Sequence, residues 1–177
     1  MTLANCYEDV VRASAYARLE FPGTYYLAYR DLPALIGEHA QGTRALDFGC
    51  GSGRSTRFLR SLGFDAVGVD ISADMIRHAR ALDAGGDYRL IEAGGLGLLP
   101  QSAWDLVLCA FTFDNVPLED KPPLMRDVAG LLKPAGGFIN LVSSPEIYVN
   151  EWASFSTRDY PENAQARPAA GAATAHQ

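Results

Sequence analysis

Residues 45–54 read Ala-Leu-Asp-Phe-Gly-Cys-Gly-Ser-Gly-Arg, an apolar run that passes directly into a glycine-rich turn. Because glycine has no Cβ, such a turn can tighten between a strand and a helix and can bring its backbone against a ligand. Its N–H groups then point at carboxylate or hydroxyl oxygens of that ligand. The stretch therefore predicts a strand, a ligand-binding turn and the start of a helix.

The spacing of the glycines distinguishes two classes of cofactor. A dinucleotide fingerprint reads G-x-G-x-x-G, with a pyrophosphate at the helix N-terminus. Here Gly49, Gly51 and Gly53 follow a G-x-G-x-G pattern, and an acid, Asp47, precedes them. A carboxylate is an unfavourable neighbour for a pyrophosphate, so the pattern disfavours a nicotinamide-dependent oxidoreductase on a similar fold.

Short apolar runs separated by helix-length polar stretches follow the turn, and this alternation is typical of βαβ units around a buried parallel sheet. It predicts an α/β fold, a Rossmann-like three-layer sandwich with a mostly parallel sheet and two leading helices. The predicted strands are Arg44 to Phe48, Ala66 to Asp70, Tyr88 to Glu92, Asp105 to Phe111 and Phe138 to Val142. The predicted helices are Tyr7 to Leu19, Tyr25 to Ala40 with Pro33 as a kink or restart, Ser55 to Leu62, Ala73 to Leu82 and Leu124 to Leu132.

The acid and the glycine turn together resemble the first motif of the class I S-adenosylmethionine (SAM) dependent methyltransferases, of the type 11 and type 25 groups. Residues 99–108 and 131–137 are similar, in the same order, to later motifs of that family. The resemblance implies SAM as cofactor, S-adenosylhomocysteine (SAH) as product, and Asp47 beside the methionine ammonium, directly or through water. It implies further contacts with the cofactor from Gly49, Cys50, Gly51 and Gly53.

The second predicted strand ends in an acid, Asp70, about 20 residues after the glycine turn, where ribose-binding acids stand in related sheets. The alternative is a strand-end acid that caps the next helix. By the resemblance, Ile71 and Met75 pack on the adenine face, and Ala110 at the end of the fourth strand also contacts the cofactor.

The leading helices, within residues 1–42, resemble the lid that folds over the cofactor in this family. That resemblance places Tyr16 and Tyr25 near the cofactor or the substrate, although aromatic residues on helices more often form ordinary core. Arg54 has two interpretations. It pairs with the carboxylate of the cofactor, or it is a solvated helix residue.

One position departs from the family pattern. The family places an acid five residues before the proline of a Leu-Pro pair to bind the adenine amino group, and counting back from Pro100 gives Gly95. Two substitutes are open: the side chain of Glu92, or the backbone of Gly95 and Leu96.

Residues 110–117 follow the fourth strand, where this family holds the methyl acceptor. Methyl transfer is an in-line displacement, so much of its barrier is removed by aligning nucleophile and methyl about 3–3.5 Å apart, without a nucleophilic side chain. Asp114 and Asn115 are the polar candidates for catalysis, with Asp114 as a base. A carboxylate beside a loop is more often a cap or turn residue.

The composition narrows the range of partners. The chain has 177 residues, 48% hydrophobic, and a formal net charge of −6, so it lacks a basic footprint for a phosphate backbone. We expect one folded domain, a small-molecule acceptor and no nucleic acid. Its 3 cysteines and 3 histidines show no metal or disulfide spacing, which favours the cytoplasm and no bound metal. No run approaches the roughly 18 apolar residues of a membrane span.

Residues 1–163 are predicted to form the SAM-binding domain and residues 164–177 a disordered, alanine-rich tail. Complete domains of the family continue after the fifth strand through a helix and an antiparallel strand pair. We therefore expect a sheet shortened at its C-terminal strands and a homodimer through the uncovered edge. The favoured function is methyl transfer from SAM to a small molecule. The alternative is a C-terminally shortened, non-catalytic SAM-binding or regulatory protein.

Overall fold

The computed structural model describes residues 24–144. The helices of this part are α1 (Thr24–Arg30), α2 (Leu32–His39), α3 (Arg54–Ser61), α4 (Ala73–Leu82) and α5 (Lys121–Leu131). The strands are β1 (Arg44–Phe48), β2 (Asp65–Asp70), β3 (Asp87–Leu90), β4 (Trp104–Ala110) and β5 (Leu132–Leu141). Short 3-10 turns lie at Gly95–Leu98, Phe113–Asn115 and Leu118–Asp120.

The strands form one parallel sheet in the order β3-β2-β1-β4-β5. β1 is central, with Ala45 opposite Ala66 of β2 and Leu106 of β4. The strand order reverses at β1, so the carboxyl ends of β1, β2 and β4 meet where open α/β sheets bind their ligands. The predicted Rossmann-like α/β fold is confirmed.

Alternate residues of the central strands face two different helical layers. On one face, α1, α2 and α3 pack through buried apolar side chains on the same side of β1, β2 and β4. On the other face, the Gly95–Leu98 turn and α5 cover the intervening strand residues. The first cluster contains Tyr29, Leu32, Ile36, Ala45, Leu59, Ala66, Leu106 and Leu108, and the second Leu46, Val67, Val69, Leu96, Trp104, Val107, Val128 and Leu131. The sheet is thus the middle layer of three.

The structure settles the choice at Pro33 in favour of a restart. α1 ends at Arg30, and Pro33 stands in the first turn of α2. A proline is tolerated there because the N–H it lacks would have no partner within the helix. The break at Asp31 therefore separates two short helices where the sequence predicted one stretch.

β5 begins directly after α5 and is longer than predicted. Leu132 pairs with Trp104, whereas Gly137 pairs with Leu106, so residues 133–136 bulge out of the ladder. A Cβ on Gly137 would overlap the carbonyl oxygen of His39, so glycine allows the end of α2 to approach this strand. The bulge takes up Lys133 to Gly136, within the segment 131–137 that resembles a later motif of the family.

Several predictions lie outside the described residues: the helix Tyr7 to Leu19 with Tyr16, the domain boundary at residue 163, and the tail 164–177. Of Tyr25, the structure describes only its place in α1. β3 ends at Leu90, so Glu92 follows the strand. No helix within residues 24–144 is long and apolar enough to cross a membrane.

Candidate functional site

The turn after β1 needs glycine at each of the three predicted positions. Gly49, Gly51 and Gly53 have φ angles of 73°, 54° and 79°, the left-handed region that side chains disfavour. A Cβ on Gly49 would overlap the side chain of Thr112, and one on Gly53 would lie 2.5 Å from the Tyr88 ring. The turn therefore presents bare backbone at the carboxyl edge of the sheet.

The first half of the turn is fixed to the end of β2. The carbonyl oxygen of Val69 accepts hydrogen bonds from the N–H groups of Gly49 at 2.9 Å and Cys50 at 3.0 Å. The Gly53 N–H donates to the Cys50 carbonyl at 2.8 Å and closes the turn before α3 begins. These bonds set the path of the backbone that the motif predicted.

Asp70 joins the turn to the start of α4. Its Oδ2 accepts from the Gly51 N–H at 2.8 Å, and its Oδ1 accepts from the Ser72 N–H at 2.8 Å. The cap of α4 is Ser72 itself, whose hydroxyl accepts from the Met75 N–H at 3.3 Å. A carboxylate offers about four acceptor positions, so both oxygens of Asp70 keep capacity for further donors. Burial raises the pKa of Asp70, and the Ser72 and Gly51 N–H groups oppose that rise.

Asp47 lies beneath the turn and is fully buried. Its Oδ2 accepts from the Ser55 hydroxyl at 2.7 Å and from the Thr56 hydroxyl at 2.6 Å, both in the first turn of α3. Its Oδ1 is buried and has no hydrogen-bond partner within the described part of the chain. Burial raises the pKa of Asp47 to about 6, against the two hydroxyl donors. This oxygen is a strong acceptor that lacks a donor.

The side chains of Cys50 and Arg54, in and directly after the turn, are both buried. Cys50 is buried among Ile76, Ala79 and Tyr88, and burial raises the pKa of its thiol. The thiol is thus core, and its backbone belongs to the turn. Arg54 is 7% exposed at the start of α3, which excludes the alternative of a solvated helix residue.

The residues predicted to contact the adenine differ in how exposed they are. Ile71 is 48% exposed just after β2, whereas Met75 is 1% exposed and belongs to the core. Gly95 and Leu96 are buried in the 3-10 turn, and the Gly95 N–H donates to the Glu92 carbonyl at 2.9 Å. A Cβ on Gly95 would meet only the Cβ of Ile91, at 3.6 Å. The backbone at Gly95 therefore leaves room for a side chain. The adenine-binding acid expected at this position is absent only because the residue is glycine.

The loop after β4 packs on the glycine turn. Beyond Ala110, Phe111 adopts a left-handed conformation with φ of 58°, and the next residue, Thr112, donates its hydroxyl to the Gly49 carbonyl at 3.2 Å. Asn115 donates its side-chain amide to the Phe111 carbonyl at 3.0 Å. Asp114 is exposed on the same 3-10 turn. The predicted acceptor loop and the predicted cofactor turn are thus direct neighbours.

A family model described as a methyltransferase domain matches residues 45–136, from β1 into β5. The chain belongs to the methyltransferase domain family. The match takes in more than half of the chain, and it includes the glycine turn, both acids and the loop after β4. The class I SAM-dependent methyltransferase family that the motifs predicted is confirmed.

Relatives of this methyltransferase domain are longer than the chain. It is 32% identical over 99 residues to the ubiquinone biosynthesis O-methyltransferase of Xanthomonas euvesicatoria pv. vesicatoria, a match that covers 54% of the chain and 41% of that relative. The protein of the same name from Methylococcus capsulatus is 33% identical over 99 residues, with the same shares. The chain thus spans about two fifths of the length of these curated relatives.

Solved structures show the same fold. An S-adenosylmethionine dependent methyltransferase from Mesorhizobium loti has a TM-score of 0.53 and 31% identity, over 67% of this chain and 56% of that one. The DhpI-SAH complex has a TM-score of 0.60 and 26% identity, over 80% of this chain and 68% of that one.

The methyltransferase domain carries groups that fit SAM. The partnerless Oδ1 of Asp47 suits an ammonium or an ordered water. The spare acceptor capacity of Asp70 suits a ribose diol, and the bare backbone of residues 49–53 allows close approach to a ligand. The individual contacts remain predictions.

The sequence did not identify four side chains that shape the domain's site, which are Ser55, Thr56, Tyr88 and Thr112. Ser55 and Thr56 directly follow the motif at residues 45–54, so the sequence does carry a signal for them, two hydroxyl residues just after an acid and a glycine turn. Tyr88 and Thr112 carry no local signal, because Tyr88 meets the turn from β3 and Thr112 meets it from the loop after β4. Among residues 24–144 there is no group of three His, Cys, Asp or Glu side chains placed to hold a metal ion.

Proposed function

We propose that the chain contains the SAM-binding and catalytic site of a methyltransferase that acts on a small-molecule acceptor. The observation that carries the proposal is the glycine turn, fixed between Asp47 with its partnerless buried oxygen and Asp70 with spare acceptor positions. The curated relatives are named O-methyltransferases of ubiquinone biosynthesis, which supports a small-molecule acceptor. The net charge of −6 also disfavours nucleic acid.

Each part of the cofactor has a proposed partner in the chain. Asp47 Oδ1 accepts from the methionine ammonium, directly or through water, and Asp70 accepts from the ribose hydroxyls. Arg54 pairs with the cofactor carboxylate. Because Met75 is fully buried, we assign the contact with the adenine face to Ile71, and the backbone of Gly95 and Leu96 lies at the edge of the base.

When bound, SAM supplies an electron-poor methyl group on a positively charged sulfur. The chain then needs to orient that methyl and the acceptor, since alignment at about 3–3.5 Å removes much of the barrier. The loop after β4 forms the part of the site that holds the acceptor. Asp114 is exposed there and takes a proton from an acceptor hydroxyl. Asn115 has its amide on the Phe111 carbonyl, so its role is to shape the loop.

Calorimetric titration with SAH tests the cofactor site without knowledge of the acceptor. We expect saturable binding by the full chain and loss of binding in Asp70→Ala. Asp65→Ala is the matched control, because Asp65 is an exposed acid at the opposite end of the same strand. Binding by the control and not by Asp70→Ala supports the site. Absence of SAH binding by the full chain would contradict the proposal.

Turnover separates an enzyme from a binding protein. The full chain is incubated with SAM carrying a labelled methyl group and a panel of small phenols, carboxylic acids and amines, and the label is followed into product. Transfer to any of them supports the enzyme. Tight SAH binding with no transfer across the panel would favour the non-catalytic alternative.

Two further proposals concern partners and location. We propose that a second copy pairs with the outer side of β5, since within residues 24–144 this strand pairs only with β4. Sedimentation equilibrium at micromolar concentration tests it, and a purely monomeric chain would contradict it. We also propose a cytoplasmic location, which fluorescence microscopy of a tagged chain would test.

A further inference from the structure

The loop after β4 and the glycine turn touch at one side chain, Thr112. The Thr112 hydroxyl donates to the Gly49 carbonyl at 3.2 Å, and its distance to the Ala110 carbonyl is longer, 3.5 Å. Gly49 also approaches so closely that a Cβ there would overlap the Thr112 side chain. The two residues are 63 positions apart in the chain. The contact therefore joins the two halves of the site.

The peptide group between Gly49 and Cys50 is held at both ends. Its carbonyl oxygen accepts from Thr112, on the β4 side. Its N–H, that of Cys50, donates to the Val69 carbonyl at 3.0 Å, on the β2 side. A peptide group is planar, so these two bonds fix its orientation. Loss of the Thr112 bond would leave the plane fixed from β2 alone.

The position of Thr112 depends on a strained residue before it. Phe111 has a φ of 58°, an uncommon conformation for a bulky side chain. Its N–H donates to the Leu141 carbonyl at 2.8 Å, and its carbonyl accepts from Asn115 at 3.0 Å. Such strain persists where surrounding contacts over-determine it, and it is concentrated at functional sites.

An aromatic contact supports the same connection. Phe113 is buried, and its ring centroid lies 6.4 Å from that of Phe48, the residue before Gly49. On its other side Phe113 meets Phe138 of β5 at 5.9 Å. The loop is therefore anchored to the end of β1 by one polar contact, from Thr112, and one apolar contact, from Phe113, while the next residue, Asp114, is exposed.

We propose that Thr112 is a positioning residue that couples the glycine turn to the acceptor loop. The inference rests on the proposed function, because it assigns the turn to SAM and the loop to the acceptor. Through the Thr112 hydroxyl, a cofactor that orders the turn also orders the segment that carries Asp114. The coupling is reciprocal, so a bound acceptor also tightens the turn around the cofactor.

Three threonine variants separate the hydroxyl from the shape of the side chain. Thr112→Val keeps the shape and removes the donor, and Thr112→Ser keeps the donor. Thr43→Val is the matched control, since Thr43 is exposed at the opposite edge of the sheet, before β1. In SAH titrations we expect Thr112→Val to raise Kd about five- to tenfold, the usual effect of one lost hydrogen bond. Thr112→Ser and Thr43→Val should stay within about twofold of the parent chain.

Hydrogen exchange of backbone amides measures the coupling itself. In the parent chain SAH should slow exchange at Cys50 and Gly51 in the turn and at Phe111 and Asn115 in the loop. In Thr112→Val at saturating SAH, the turn should be protected while the loop is not. A residue that only stabilises the fold would change protection everywhere, and thermal unfolding of each variant checks for that.

The outcomes distinguish this inference from the proposed function. Equal SAH affinity and equal loop protection in Thr112→Val and the parent would overturn the coupling. If the parent chain binds no SAH, the proposed function fails, and exchange without ligand still decides the contact. In that case faster exchange at both Cys50 and Asn115 in Thr112→Val supports the connection, and unchanged exchange overturns it.

Discussion

The Thr56 hydroxyl donates to Asp47 Oδ2 at 2.6 Å, and this bond ties the first turn of α3 to the middle strand of the sheet. The carboxyl group that accepts it is fully buried, and its second oxygen has no partner within the described residues. A buried charge that is only half satisfied opposes folding. Asp47 therefore positions α3 through this bond, but its buried charge lowers the stability of the folded chain.

Asp47→Asn should stabilise the chain at neutral pH. The folded-state pKa of Asp47 is about 6, raised from 3.8, so the folded state binds the proton more tightly than the unfolded state. Stability from this group is present below about pH 4 and is lost as the pH rises through 6. Above pH 7 we expect the variant to have a free energy of unfolding about 1–3 kcal/mol larger than the parent chain, measured in urea.

The pH dependence provides the control for that prediction. At pH 4 the carboxyl group of the parent is protonated, so the difference between variant and parent should shrink toward zero. Asp65→Asn, at an exposed position of β2, should change stability little at either pH. A stabilisation by Asp47→Asn that is equal at pH 4 and pH 8 would show that the charge is not its cause.

The same variant should bind SAH more weakly. Asparagine can keep an oxygen on Ser55 and Thr56, but it then presents an N–H₂ group where Oδ1 faces the proposed ammonium. We expect the SAH affinity of Asp47→Asn to fall about tenfold or more at pH 7.5, as for loss of a hydrogen bond to a charged group. In the parent chain, affinity should decline below about pH 6, where Asp47 takes up its proton. Affinity independent of pH from 5 to 8 would argue against a direct contact.

The sequence predicted the parts of the site that local spacing encodes. Asp47, Gly49, Gly51, Gly53 and Asp70 all stand where the motif placed them, because a strand-turn-helix unit is determined by residues close in the chain. Tyr88 and Thr112 could not be found in this way, since Tyr88 reaches the turn from β3 and Thr112 from the loop after β4, and the role of each depends on tertiary packing.

Backbone detail was the other part that sequence patterns did not reveal. The left-handed Phe111 has no sequence signal, because an aromatic residue is among those least expected there. The bulge of β5 arises from pairing with β4, and the glycines before Phe138 were equally compatible with a turn. Patterns of local preference thus located the elements, while long-range contacts determined their ends.

Gly53→Ala should lower the free energy of unfolding far more than Gly63→Ala, although both glycines have a left-handed backbone. Gly53 has φ of 79°, and a Cβ there would lie 2.5 Å from the Tyr88 ring, which is fixed by a hydrogen bond from its hydroxyl to Asp83 at 2.9 Å. Gly63 has φ of 91° with open space around it. We expect Gly63→Ala to cost about 1–2 kcal/mol for backbone strain alone, and Gly53→Ala to cost at least about 2 kcal/mol more.

Urea unfolding of the two variants measures that difference, and SAH titration shows its effect on the site. Gly63→Ala should bind SAH like the parent chain, whereas Gly53→Ala should not bind. Equal destabilisation by the two substitutions would mean that the Tyr88 ring yields and does not support the turn.

Gly95→Asp should restore a specific contact to the adenine amino group. The position accepts a side chain, because its φ is not left-handed and a Cβ would meet only Ile91 at an ordinary 3.6 Å. A carboxylate there can accept from the amino group, so we expect SAH to bind about five- to tenfold more tightly than in the parent. The inosine analogue of SAH, which has no amino group, should gain nothing, and Gly95→Ala serves as the control for packing.

The parent chain should distinguish the two ligands by less than about threefold, since its Gly95 has no side chain to read the base. If Gly95→Asp leaves this ratio unchanged, the adenine lies away from the Gly95–Leu98 turn, and Glu92 becomes the residue to substitute next.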